Sequence, residues 1–258
     1  MPFLTPETLI RLFLVFARVG GLLAAAPLFG HGSVPVRVRV FLAVLLAYAL
    51  HGIVPGEVPE NATHPAVLLG AVALEALAGA ALGYAAQFVF WAVQFAGEAV
   101  GFQMGLSMAQ VYNPVEGHSA NPIGRILSLT FLLFFLLIDG HHHLLRALVA
   151  SFDVVPLAGA RVAAAGPMLL QWVGRLFVTA LRLAAPFLVT IFLVDLALGV
   201  FARMVPQADL FSLGLPLKLA VGLGIAGIFL SQFVPVVPEL VGQMVSDLLA
   251  LIEAMVPA

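Results

Sequence analysis

Few residues of this chain can do chemistry, and long apolar runs keep most of them apart. The densest group is Asp139-Gly140-His141-His142-His143, with Arg146 a turn further on. Imidazole nitrogens beside a carboxylate are the donors of a zinc-type site. Successive residues of a helix point about 100° apart, however, so three neighbours alone do not converge on one ion. No second cluster supplies the missing ligands. These side chains read instead as amphipathic groups at an interface, with Asp139 accepting a hydrogen bond from one histidine. A second group is Gln171, Arg175 and Arg182, four and seven apart on one helical face, with Asp195 beyond. It reads as buried polar and ionic packing between neighbouring helices, because no carboxylate stands three or four residues from either arginine. A proton or ion relay is the sharper alternative. A third group, Gln87, Gln94 and Glu98, forms a polar seam that continues to Gln103 and Gln110. Inside an apolar helix such a seam faces protein or water, not lipid. No serine sits in a nucleophile elbow: Gly117-His118-Ser119-Ala120 lacks the second glycine. No cofactor, metal or enzymatic activity is expected.

The elements that carry these groups are apolar. Of 258 residues, 62% are hydrophobic and 9% charged, and the mean hydropathy is +1.13. Soluble domains carry about 25% charged residues, so the chain reads as an integral membrane protein or a subunit within a membrane assembly. It has no cysteine, which excludes disulfides and thiolate sites. The net charge of −2 and the lack of a basic run argue against nucleic acid. The first segment has no basic n-region and is read as a retained helix rather than a signal peptide.

Residues 6–29 are expected to form the first helix, with Thr5 as cap and Pro6 at its first position. Arg11 and Arg18 share a face, which suggests contact with another subunit or a head-group layer. Gly30 to Pro35 make a turn, and Val36 to Val54 a second segment, whose Arg37 and Arg39 mark a cytoplasmic side. The connection 55–65 carries Glu57 and Glu60 and reads as the opposite side. Residues 66–110 would make a helix of about 67 Å against a hydrocarbon core of about 30 Å. It must break near Gly97 or stand out of the bilayer. Gly79 with Gly83, and Gly97, Gly101 and Gly105, are spaced for close helix packing. Asn113-Pro114 and Asn121-Pro122 then punctuate a loop, expected to sit in or beside a pore because lipid cannot satisfy irregular backbone, the alternative being an ordinary surface loop between two spans. Residues 123–150 form one further segment and 151–166 a connector. Residues 167–204 are an overlong helix with a possible bend at Pro186. Residues 203–218 are a basic connector on the cytoplasmic side, and 219–234 a short glycine-rich segment. The end is amphipathic, with Leu240, Met244, Leu248, Ile252 and Met255 on one side, expected to pack on its own chain or a partner.

Three stretches together carry a resemblance: GEAVGFQMGLSMAQVYNP at 97–114, IDGHHHLLRALVASFDVVP at 138–156 and PQADLFSLGLPLK at 206–218. With Arg18, Pro27, Pro35 and Arg37 they resemble the FliR family of flagellar export-gate proteins, called SctT in virulence-type secretion. Gly140 to His142 favours the flagellar branch, while Asn113-Pro114 stands where Asp-Pro is expected. The resemblance implies an all-α membrane-associated fold of long helices and hairpins. A FliP-like unit would cover 1–166 and a FliQ-like hairpin 167–258. It implies a ring with FliP-like and FliQ-like subunits, in the bacterial inner membrane at the flagellar basal body. That ring would pass unfolded export substrates, with FlhB-like and FlhA-like proteins beside it. A plug would lie at 105–122, including Gly105, Leu106, Met108, Val111, Tyr112, Asn113, Pro114 and Gly117. A cytoplasmic partner loop would include Pro206, Gln207, Phe211, Gly214, Pro216 and Lys218. The rival from another class is a small secondary transporter, which would show internal repeats; none is evident between the halves.

Overall fold

The computed structural model describes residues 5–30, 34–55, 64–106, 121–205 and 210–257. Among them the regular elements are all helices. In chain order these are α1 (Pro6–Ala25), α2 (Val36–Leu50), α3 (Pro65–Gln103), α4 (Pro122–Leu137), α5 (Gly140–Val154), α6 (Val162–Met204), α7 (Leu210–Phe233) and α8 (Val237–Ala254). A 3₁₀ turn, Val234–Val236, joins the last two. Among the described residues, five stretches are long and apolar enough to cross a membrane, and a sixth if α4 and α5 count as one broken span. The chain is an all-α, multi-pass membrane protein.

Local sequence explains the ends. The Thr5 hydroxyl accepts from the Thr8 N–H at 3.2 Å, and Pro6 takes the first helical position, whose N–H would be unsatisfied anyway. α3 ends in a Schellman turn. Gly105 adopts φ +79°, and the Leu106 N–H returns to the Gly101 carbonyl at 3.0 Å.

Two compact units result. The first comprises Met1–Val89, Leu136–Val173 and Leu240–Ala258. In it α1 buries Leu14, Val15, Leu22 and Leu23, and α8 buries Leu240, Met244, Leu248, Ile252 and Met255. The amphipathic end therefore packs on its own chain. A Cβ on Gly21 would overlap the Ala76 carbonyl, and one on Gly79 the Arg18 carbonyl. α1 and α3 thus touch backbone to backbone, and Gly79 and Gly83 are spent on that contact. The second unit comprises Phe90–Phe135 and Gly174–Glu239. Its centre is aromatic: the Phe90 ring meets Phe131 at 4.7 Å and Phe135 at 5.2 Å, and Phe187 meets Phe229 at 4.7 Å.

Three expectations are corrected and one alternative is decided. α3 does not break at Gly97; it runs 39 residues, about 58 Å. Gly79, Gly83, Gly97 and Gly101 are packed against neighbours, and no proline follows Pro65 within the helix. The segment 123–150 is broken in two, because Asp139 takes the left-handed conformation at φ 58°. α7 begins at Leu210 and runs through Pro216, so Gly214, Pro216 and Lys218 are helical rather than connector. Arg18 meets its own chain instead of another subunit or a head-group layer, as described next.

Candidate functional site

Arg18 is 1% exposed, and all five of its N–H groups find acceptors. Its Nε donates to Glu75 Oε2 at 2.5 Å and its Nη2 to Glu75 Oε1 at 3.0 Å. Its Nη1 donates to the Ser151 carbonyl at 2.9 Å, and both terminal nitrogens reach the Val155 carbonyl at 3.2 Å. The guanidinium also lies 4.3 Å from the centroid of the Phe152 ring. Glu75 Oε1 accepts a further N–H from Ala158 at 2.7 Å, a residue held at φ 60°. This bidentate pair ties α1, α3, α5 and the turn after α5 together inside the first unit. Complete satisfaction is what makes a buried charge tolerable. Its role is structural, since neither group is open to a ligand.

In the second unit the glycines at the end of α3 set the geometry. A Cβ on Gly97 would overlap the Cα of Gly124, so α3 and α4 cross with backbones in contact. A Cβ on Gly101 would overlap the side-chain amide of Asn121. That amide donates to the Gly97 carbonyl at 2.8 Å and to Glu98 Oε2 at 3.3 Å, and its oxygen accepts from the Ile123 N–H at 3.1 Å. Glu98 of the expected polar seam is thereby a partner of Asn121. Gly105 lacks room for a Cβ against Leu215, and Met104 fills the space over Gly222. Leu106, on one side of residues 107–120, donates to the Gly101 carbonyl, and the Asn121 amide, on the other, packs over Gly101 while donating to Gly97. Met108, Val111, Tyr112, Asn113, Pro114 and Gly117 lie outside the described residues, as do Pro206 and Gln207.

The long α6–α7 hairpin carries the remaining charges. Lys218 Nζ meets Asp195 Oδ1 at 2.5 Å, with Lys218 24% and Asp195 38% exposed. Leu198 packs on Gly214 one turn away. Arg175 and Arg182 are exposed on the chain, so they are not buried within it, and Asp195 has Lys218 as its partner. Phe211 opens α7. At the α4–α5 break, His142 Nδ1 lies 3.1 Å from Asp139 Oδ1, as expected. Asp139, His141 and His142 bring their donor atoms within 4.8 Å of one another. They sit at the positive end of α5, which opposes a bound cation.

Sequence reasoning missed Glu75 and the role of Asn121. The first had no partner at helical spacing; the second was visible only as part of an Asn-Pro turn.

A family model described as "Bacterial export proteins, family 1" matches residues 9–244. The chain is 34% identical over 220 residues to the flagellar biosynthetic protein FliR of Escherichia coli (strain K12), covering 84% of this chain and 83% of that one. It is 36% identical over 212 residues to FliR of Bacillus subtilis (strain 168), covering 81% of each. It is 32% identical over 243 residues to FliR of Pectobacterium carotovorum subsp. carotovorum, covering 93% and 91%. The chain belongs to the FliR family. As a FliR-family protein it is a multi-pass membrane component of the flagellar export apparatus, and it associates there with other proteins of that apparatus. Both the Arg18–Glu75 clamp and the Gly97–Gly124 crossing fall inside the matched residues.

Proposed function

We propose that this FliR-family chain is a core subunit of the flagellar protein export gate, assembled with FliP-like and FliQ-like subunits around a passage for unfolded proteins. On this reading residues 1–166 form the FliP-like unit and 167–258 the FliQ-like hairpin. The assembly lies in the inner membrane at the basal body. The stretch between α6 and α7, with the first turns of α7 up to Lys218, meets FlhB-like and FlhA-like proteins. Residues 107–120, with Gly105 and Leu106, help seal the resting passage. Helices of about 58 and 64 Å suit an assembly standing partly clear of a 30 Å hydrocarbon core.

The observation that carries the reading is the meeting of both ends of 107–120 at Gly101. Leu106 and Asn121 thus lie at one place on a glycine-faced helix, which is what a plug fixed at its base requires. The physics of sealing is simple. A passage wide enough for an unfolded chain must exclude water at rest. Leu106, Met108, Val111 and Tyr112 offer apolar volume, and methionine adapts its shape to a constriction. Nothing in this role needs a nucleophile, a metal or a cofactor. The test is affinity purification of the tagged chain from cells making the flagellar export proteins. Co-purification with FliP-like and FliQ-like subunits in one large particle is expected. A chain recovered alone, or as a symmetric dimer, contradicts the proposal.

A further inference from the structure

The start of α5 brings together residues that helical spacing alone keeps apart. His141 and His142 lie in its first turn, and Asp139 stands just before it in the left-handed conformation, at φ 58°. The two imidazole rings lie 4.2 Å apart between centroids, and His142 Nδ1 is 3.1 Å from Asp139 Oδ1. Each of the three residues offers one donor atom within 4.8 Å of the others. Two further observations show groups that the fold leaves unused. An aspartate before a helix ordinarily caps it, its carboxylate accepting from the second or third helical N–H. The Asp139 carboxylate makes no such bond, while its backbone carbonyl takes the His142 and His143 N–H groups at 2.9 and 3.4 Å. His141 Nδ1 is buried and has no hydrogen-bond partner among the described residues. A buried ring nitrogen left so is costly unless something binds it.

We propose that Asp139, His141 and His142 bind one divalent transition-metal cation of the zinc type, with water completing the shell. Ligands about 2.0–2.1 Å from a tetrahedral ion stand roughly 3.3 Å from one another, close to the spacing of the Asp139 and His142 donor atoms. Two imidazoles with one carboxylate suit zinc, nickel or copper, whereas calcium and magnesium take oxygen ligands. The positive end of α5 opposes any cation, and so does Arg146 one turn on. The Asp139 carboxylate offsets part of that field, and Asp153 lines the same groove as Arg146 and His142. A metal bound through imidazole nitrogen tolerates such a field; a cation held by charge alone does not. Binding ties the residue before α5 to its first turn and so stabilises the start of that helix. The inference does not depend on the export-gate reading and survives if that reading fails.

The full chain is purified in detergent through a tag free of histidine and stripped with a chelator. It is titrated with zinc chloride against a chromophoric zinc chelator, and melted with and without zinc. One tightly held ion per chain is expected, with a raised melting midpoint. Asp139→Asn, His141→Ala and His142→Ala should each weaken binding by about tenfold or more. His143→Ala, a neighbour of the same type outside the cluster, should leave it within about twofold of the parent. Calcium chloride at the same concentration should not move the midpoint. Asp139 and His142 are more than half exposed, so their variants should melt as the parent does without zinc, and they carry the test should His141→Ala fail to fold. No zinc held by the parent overturns the proposal, as does binding that survives both Asp139→Asn and His142→Ala. A loss in His143→Ala equal to that in His142→Ala, or an equal shift with calcium, overturns it too.

Discussion

Arg18 and Glu75 show how much can rest on two side chains. Each is almost wholly buried, and each is tolerated only because the other is there. Removing one partner leaves an uncompensated charge, which typically costs about 3–5 kcal/mol. Glu75→Leu and Arg18→Met should each lower unfolding stability in detergent by that order. The double variant Arg18→Met/Glu75→Leu should recover much of the loss, since a pair of apolar groups leaves no charge behind. A double variant no better than the worse single one would show that the bonds to Ser151, Val155 and Ala158 matter more than the charges. In the sequence, Arg18 was legible as an anomaly, an arginine in an apolar run. Its partner was not. Glu75 stands 57 residues away in an alanine- and leucine-rich helix, and nothing in local spacing joins them. Pairing at that distance is fixed by how α1 lies on α3, which is tertiary information.

At the scale of elements, glycine decides where helices may touch. The spacings of Gly79 with Gly83 and of Gly97 with Gly101 were readable; the first three mark backbone contacts and Gly101 a contact with the Asn121 side chain. Their consequence for α3 was harder to read, because glycine both weakens a helix and permits packing. Here packing prevails, and α3 stays whole through Gly97. The reverse held at Asp139-Gly140. That dipeptide is an ordinary turn signal, but the three histidines after it drew attention to ligands and away from the break. α7 began earlier than expected because Pro216 suggested a connector. Gly97→Val should cost about 1–3 kcal/mol, since the Gly124 backbone in its way cannot rotate aside. Gly174→Ala, with open space at its Cβ in the exposed α6, should instead stabilise by about 0.5–1 kcal/mol. Thermal unfolding of the two variants beside the parent checks the contrast. A tolerated Gly97→Val would mean that α3 and α4 can separate.

For the whole molecule, composition alone settled the class: an apolar chain with 9% charged residues became an all-α, multi-pass protein. The family was legible from three separated stretches in the right order. What the sequence could not supply was the way residues 106 and 121 meet at Gly101, since a helix end and a loop end 15 residues apart need not share an anchor. That shared position supports the proposal that 107–120 helps seal a protein-conducting passage. The most direct measurement is ion conductance across membranes holding the assembled export complex, with residues 107–120 replaced by a short Gly-Ser bridge. Assembly should be unaffected and resting conductance should rise well above that of the parent. An assembled complex whose conductance stays at the parent level would contradict the account.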